Sequence, residues 1–247
     1  MQSLKDLDTR APKSLDKAAT KEATEVLIKR LQELQNLLYA EGKHSVLVIF
    51  QGMDASGKDG IIRNVLGRIN PQGVQVTSFK VPTEEEAAHD FLWRIHLHVP
   101  AKRMMQVFNR SHYEDVLVTR VHGWCDDATA QKRFKAINDY EQLLVLHNNT
   151  VLLKCYLHLS QAEQHKRLQE RIDDPTKHWK HNSKDFEESK LWDRYMEMYG
   201  EVFSNCNEVP WHIIPADQNW YKEHCVARLL VDALEGLQMQ YPKLSQE

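Results

Sequence analysis

The chain has 247 residues, of which 42% are hydrophobic and 27% charged, and a formal net charge of −3. A chain of that size and make-up folds as one globular domain, or as one domain carrying a lid. It is not the composition of a protein coated in base for duplex nucleic acid, so any anion-binding surface has to be local.

MQSLKDLDTRAPK lacks the apolar core of a signal peptide, and no apolar run nears the length of a membrane span, so neither a membrane nor a nucleic-acid partner is expected. Residues 1–13 read as a flexible arm. A helix is predicted over 14–42, with Ala18, Val26, Leu27, Leu31, Leu34, Leu37 and Leu38 at three- and four-residue steps and Gly42 as its stop. Strands follow in HSVLVIFQ, GVQVTSFK, RMMQVFNR, TVLLKCYLHL and PWHIIPA. Helices are predicted over 58–69, 84–97, 128–146, 161–172 and 221–237. Strands alternating with helices imply a parallel sheet covered on both faces. SVLVIF and TVLLKCYLHL are apolar throughout, as doubly buried strands are. The polar, aromatic insertion at 173–207 is expected to form a lid. Cys125, Cys155, Cys206 and Cys225 form no C-x-x-C pair and read as reduced thiols of a cytoplasmic protein.

GMDASGK lies between SVLVIF and IIRNVLGRI, which makes strand, glycine loop, helix. In that context G-x-x-x-x-G-K is a phosphate-binding loop: glycines let the backbone curl, amides and the helix start face the anion, and Lys58 adds a full charge. The residue after the lysine is Asp59 rather than Ser or Thr, and Asp54 sits inside the loop. A carboxylate ~4 Å from a phosphate oxygen costs about 4 kcal/mol at an effective dielectric of about 20. The sign reverses if a divalent cation lies between them. Asp54 is therefore the first candidate ligand for Mg2+ (or Mn2+), while Asp59 faces solvent or the helix start.

A second polar cluster, NRSHYEDVLVTRVH, follows the third strand. Asn109 occupies the strand end, where P-loop proteins place an aspartate, and Arg110 beside it can clamp a phosphate with two hydrogen bonds. Glu114 and Asp115 lie at the same carboxyl edge, where ligands of open parallel sheets collect.

GMDASGKDG, SFKVPTEEE, HDFLWRIH, FNRSHYEDVLVTRVHG, RIDDPTKHWK, WDRYMEMY and WHIIPADQNWY occur in that order. The sequence in this respect resembles the family-2 polyphosphate kinases, from about Ser14 to Pro242. The resemblance implies an α/β fold: a P-loop kinase-like three-layer αβα domain over 1–247, with a central parallel sheet of about five strands and a helical lid. It also implies an enzyme that passes phosphate between inorganic polyphosphate and nucleotides (AMP, ADP, ATP) and a homodimer or homotetramer. NRSHYEDVLV resembles the subgroup that phosphorylates both AMP and ADP.

Carried over position by position, Asp54, Lys58, Arg110, Glu114, Asp115 and the lid residue Arg171 are implied to be catalytic, with Asp54 and Asp115 on the metal. Gly52, Ala55, Ser56, Gly57, Asp59, Gly60, Lys80, Arg94, Asn109, Lys177 and Lys180 are implied to bind phosphate or nucleotide. Arg103-Met104, in place of a glycine, and Ser189-Lys190, in place of an arginine, depart from the pattern.

A polyanionic donor needs a track of cations, for which Lys58, Lys80, Arg94, Lys102, Arg103, Arg110 and Arg120 are the candidates. Trp93, Trp179 and Trp192 are candidates to stack on a base or to pack. Competing readings are an ATP-dependent nucleotide kinase, a phosphohistidine route through His112, and a non-catalytic phosphate sensor. The pair His96 and His98 lacks further ligands at zinc spacing and reads as structural.

Overall fold

The strand Ser45–Gln51 (β1) is buried at every position, with Val46, Val48 and Phe50 in one apolar cluster and Leu47 and Ile49 in another. This period-two division is how a central strand serves two helical layers. The structure, a computed structural model describing residues 4–244, adds Val74–Ser78 (β2), Met105–Asn109 (β3), Thr150–His158 (β4) and Trp211–Pro215 (β5). All pairings are parallel, in the order β2-β3-β1-β4-β5.

The helices are α1 (Lys17–Glu41), α2 (Lys58–Asn64), α3 (Glu84–Ala87), α4 (Trp93–His96), α5 (Val118–Val121), α6 (Asp127–Asn148), α7 (Gln161–Asp173), α8 (Lys184–Ser189), α9 (Trp192–Asn205) and α10 (Asn219–Glu235). On one face α1, α2 and α10 cover the sheet; on the other lie α6 and α9. Asp16 caps α1 by accepting from the Ala19 amide, and Gly42 ends it at φ 69°. Leu27, Leu31, Leu34 and Leu38 form its buried stripe, while Val26 faces out. The neighbours β1 and β3 lead to opposite sides of the sheet, to β2 and β4, so a crevice opens at their carboxyl ends.

Three expectations change. The helix expected over 84–97 is broken between α3 and α4, because Asp90 turns the chain by accepting from the Leu92 and Trp93 amides. The arm expected over 1–13 is docked from Leu4 onward: Leu4 is buried, Thr9 exchanges hydrogen bonds with Asp217, and the Ala11 amide donates to Gln218. Its first three residues lie outside the described ones. The lid expected over 173–207 divides, since α9 buries Met196, Met198, Tyr199, Val202 and Phe203 in the core. Only the segment from Asp174 through α8 stands over the crevice. No helix among the described residues is long and apolar enough to cross a membrane.

Beneath β3's end lies a buried ion network. Lys154 donates to Glu141 at 2.7 Å, to the Tyr113 hydroxyl at 2.9 Å and to the Cys206 carbonyl at 2.9 Å, and Tyr113 also donates to Glu141 at 2.6 Å. Burial alone would raise the Glu141 pKa, but His112 and Lys154 outweigh it and hold the carboxyl below its usual value. The stabilisation is thus present above the unfolded glutamate pKa and is lost as pH falls through the lowered folded value. Lys154→Met leaves this carboxylate buried without its cation and is expected to destabilise the protein by about 3–5 kcal/mol, read from urea unfolding.

Candidate active site

The loop after β1 bends through backbone conformations that favour glycine, with Gly52 at φ 151° and Gly57 at φ 93°. A Cβ on Gly52 would lie 2.9 Å from the Leu157 carbonyl. The carbonyls of the loop are all engaged. Lys58 donates to Gly52 O at 2.7 Å and Met53 O at 3.3 Å. Gln164 donates to Asp54 O, and Arg167 to Ala55 O and Ser56 O. Lys222 also reaches Ser56 O, and the Ile61 amide takes Gly57 O. With the oxygens so held, the negative ends of the loop's peptide dipoles are compensated, which is what an anion-binding loop requires.

Arg110 follows β3 at φ 62°, a left-handed backbone that costs an arginine about 1–2 kcal/mol. That bend sends its guanidinium to the Asp54 carboxylate at 2.5 Å. Burial opposes the Arg110 cation, but Glu114 and Asp54 outweigh it and hold its pKa above the ordinary value. Burial raises the Glu114 carboxyl, against Arg110 and Lys58, which draw it down. Lys58 is pulled down to about 8, by burial first and then by Arg110. Asp54, Lys58, Arg110 and Glu114 therefore form one electrostatic cluster. Asn109 donates to Asp59 at 2.8 Å, which holds Asp59 at the rim.

The cavity over this cluster measures about 820 Å3. It gathers Ala55, Ser56, Gly57, Gly60, Asn109 and nine cations: Lys58, Arg63, Lys80, Arg110, Arg167, Arg171, Lys177, Lys180 and Lys222. Against them stand four carboxylates, Asp54, Asp59, Glu170 and Glu223. The excess of positive charge suits a multiply charged anion.

Several expected site residues lie elsewhere. Asp115, paired with Asp54 in the sequence reading, instead sits 3.7 Å from Arg94. Burial raises its carboxyl pKa, against Arg94 and Arg133. The carboxylate beside Asp54 is Glu114, because the segment after Ser111 is a tight 3-10 turn (His112–Val116) that points successive side chains apart. Arg94 is buried and braces the chain by donating to the Lys80 carbonyl. Arg120 is tied to Glu201 and Asp127, and Arg103 lies over Tyr39 beside Gly42, at the amino ends of β1 and β3 and so at the opposite end of the strands from the cavity. Of the seven cations proposed for a track, only Lys58, Lys80 and Arg110 line the cavity.

Arg171 lines the cavity but is held by Asp185 of α8 at 2.6 Å, and Lys177 by Glu170 and Asp174. Burial and the nearby Asp54 charge raise the Asp185 pKa. Lys190 pairs outward with Glu187, and Ser189 is buried against Phe186 and His165. Trp179 is exposed at the cavity mouth, whereas Trp93 stacks on His89 and Trp192 packs on the core. His112 is fully buried against Glu141, out of reach of any phosphate donor.

Gln164, Arg167, Arg63, Asn64, Asn219 and Lys222 were not anticipated. Gln164, Arg167 and Arg171 share one face of α7 at three- and four-residue spacing, a signal legible in QAEQHKRLQER. Lys222 gave none, since it comes from the last helix. Among the described residues no three His, Cys, Asp or Glu side chains gather to hold a metal alone. Asp54 and Glu114 are hard oxygen donors on one cluster. That set fits Mg2+, which binds through one or two carboxylates and completes its shell from phosphates and water.

The sequence model of the family described as Polyphosphate kinase 2 matches residues 14–242. The chain is 51% identical over 229 residues to the AMP/ADP-polyphosphate phosphotransferase of Meiothermus ruber, covering 92% of this chain and 85% of that one. It is 44% identical to the ADP-polyphosphate phosphotransferase of Rhodopseudomonas palustris, over 87% of this chain and 79% of the relative. The crystal structure of polyphosphate kinase 2 from Arthrobacter aurescens superposes with a TM-score of 0.96 at 46% identity, covering all of this chain and 89% of that one.

A Cβ added to Gly57 would fall 2.0 Å from the Lys222 ammonium, whereas one on Gly60 meets nothing within 4 Å. Gly57→Ala is expected to destabilise by about 1–2 kcal/mol from its left-handed backbone, and further by displacing Lys222. Gly60→Ala, inside α2, is expected to stabilise by about 0.5–1 kcal/mol. Urea unfolding of both variants checks the pair.

Proposed function

The chain belongs to the polyphosphate kinase 2 family, and from that premise we propose that it transfers the terminal phosphoryl group of inorganic polyphosphate to nucleoside mono- and diphosphates, AMP to ADP and ADP to ATP. The observation that carries the reading is the cavity itself: a glycine loop whose carbonyls are taken up by side-chain donors, beneath nine cations set against four carboxylates. An ATP-dependent nucleotide kinase would use the same loop. The relatives named for polyphosphate favour the first donor.

Transfer is in line: a terminal phosphate oxygen of the acceptor bonds to the end phosphorus of the donor, and the anhydride bond behind it breaks. The donor leaves one phosphate shorter, and the acceptor oxygen, already ionised, needs no general base. Catalysis of this kind rests on positioning and charge neutralisation. The loop amides and Lys58 hold the transferring group, and Arg110 turns from Asp54 to its equatorial oxygens. Arg171 from the end of α7, with Lys177 and Lys180 from the segment above it, closes over the group and keeps out water that would otherwise accept the phosphoryl group.

Asp54 and Glu114 would hold a divalent ion, Mg2+ or Mn2+, which supplies charge neutralisation between phosphates when bound. Trp179 offers an indole face at the cavity mouth for the base. Four free thiols, three of them buried, suit a reducing cytoplasm, and a homodimer or homotetramer is part of the same reading.

Incubation with Mg2+, AMP and either polyphosphate or ATP separates the donors: ADP formed from polyphosphate is expected, and ADP formed only with ATP overturns the assignment. Asp54→Asn is expected to lower kcat at least ~100-fold, the scale of losing one charge-stabilising group, with an unchanged melting temperature. Full metal-dependent activity in that variant would remove Asp54 from the metal site.

A further inference from the structure

Lys222 reaches the phosphate loop from α10 and is 1% exposed. Its ammonium donates to the Ser56 carbonyl at 3.0 Å and to Asn219 Oδ1 at 2.9 Å, both neutral acceptors. The charged groups facing it are Arg167 and Glu163 on α7, Lys58 on α2 and Glu223 on its own helix. Glu163 is already paired with Arg167 at 3.0 Å and Glu223 accepts from Asn64 at 2.6 Å. A buried cation without a carboxylate partner is costly, and proteins rarely keep one. This one lines the floor of an anion cavity, and the absence of a side chain on Gly57 is what lets the ammonium lie against the loop.

We propose that Lys222 is a phosphate-positioning residue whose charge is balanced only when the polyphosphate chain occupies the loop, so that donor binding and protonation of this lysine are one coupled event. The inference rests on the phosphotransferase reading and adds to it a residue and a proton. That proton comes from solvent and turns the amine into an ammonium; no bond to phosphorus is made or broken.

Burial, and then Arg167, pulls Lys222 down to about 7. Below that pH the lysine is charged in the free protein. Above it, filling the cavity must draw a proton, so affinity for the chain falls as pH rises from about 7 toward the higher pKa of the complex. Lys58, at about 8, titrates later. A terminal phosphate titrates near ~6. Both remain in a Lys222 variant and cancel in the comparison.

The test is calorimetric titration of the full chain with inorganic polyphosphate, without nucleotide, at pH 7.5 in two buffers of different ionisation enthalpy. Wild type is expected to take up about 0.8 proton more per bound chain than Lys222→Arg, the neutral fraction of a group of pKa about 7 at that pH. Between pH 6.5 and 8 its affinity is expected to fall about five- to eightfold more than that of Lys222→Arg. Lys222→Met is expected to bind the chain about tenfold more weakly or worse, without a lowered melting temperature. Equal proton uptake in wild type and Lys222→Arg, or an unchanged polyphosphate KM in Lys222→Met, overturns the proposal and leaves the phosphotransferase reading standing. Wild type that neither binds nor consumes polyphosphate overturns both.

Discussion

A loop that offers its amide hydrogens to an anion has to place its carbonyl oxygens somewhere else, and in this protein side chains from three helices take most of them. Lys58 from α2, Gln164 and Arg167 from α7 and Lys222 from α10 account for the oxygens of Gly52 through Ser56. Without those donors, some carbonyls would turn toward the cavity and set their partial negative charge against the ligand. The glycines permit the bend, but the surrounding cations fix its sense. Much of the cavity's positive charge therefore has two roles: Lys58, Arg167 and Lys222 shape the loop and also line the cavity.

The same bookkeeping resolves the presence of carboxylates where a polyanion is expected. Asp54 is held by Arg110 at 2.5 Å, and Asp59 accepts a hydrogen bond from Asn109 at 2.8 Å. Neither presents an uncompensated charge. The strained backbone of Arg110 is the device that brings guanidinium and carboxylate together, and strain of that kind persists where surrounding structure overdetermines it. Here the constraint is the amide of Arg110, which donates to the Phe50 carbonyl at the end of β1. The two strand ends that bear the loop and the arginine are stitched to each other at the site.

The phosphate loop, the order of strands and helices and the acidic cluster after β3 were legible in the sequence because each is written locally: glycine spacing, apolar runs, a strand end. What was not legible depends on distance along the chain. Arg94, Arg103 and Arg120 looked like members of a cation track, but each is consumed by a partner far off in sequence or lies at the amino ends of the strands, away from the cavity. Asp115 and Glu114 are adjacent, and sequence could not say which one faces Asp54; a 3-10 turn, with its tighter rotation per residue, made that choice. The insertion before β5 looked too polar for a core. Yet α9 carries its apolar side chains at helical spacing on one face, and that face packs against Tyr156 and Trp211.

Helix α7 joins the loop to the segment over the cavity. Gln164 and Arg167, near its start, grip the loop carbonyls, and Arg171, one turn on, grips Asp185 and the carbonyl of Lys180 in the segment over the cavity. Both sets of contacts lie on one face of α7. The Arg171–Asp185 pair, at 2.6 Å, is the ionic contact between α7 and α8 at the cavity. At its other end α8 is fastened by Glu188, which meets His122 at 2.6 Å and the Tyr195 hydroxyl at 3.2 Å. The segment over the cavity is thus held at both ends, by Arg171 of α7 at one and by His122 and Tyr195 at the other.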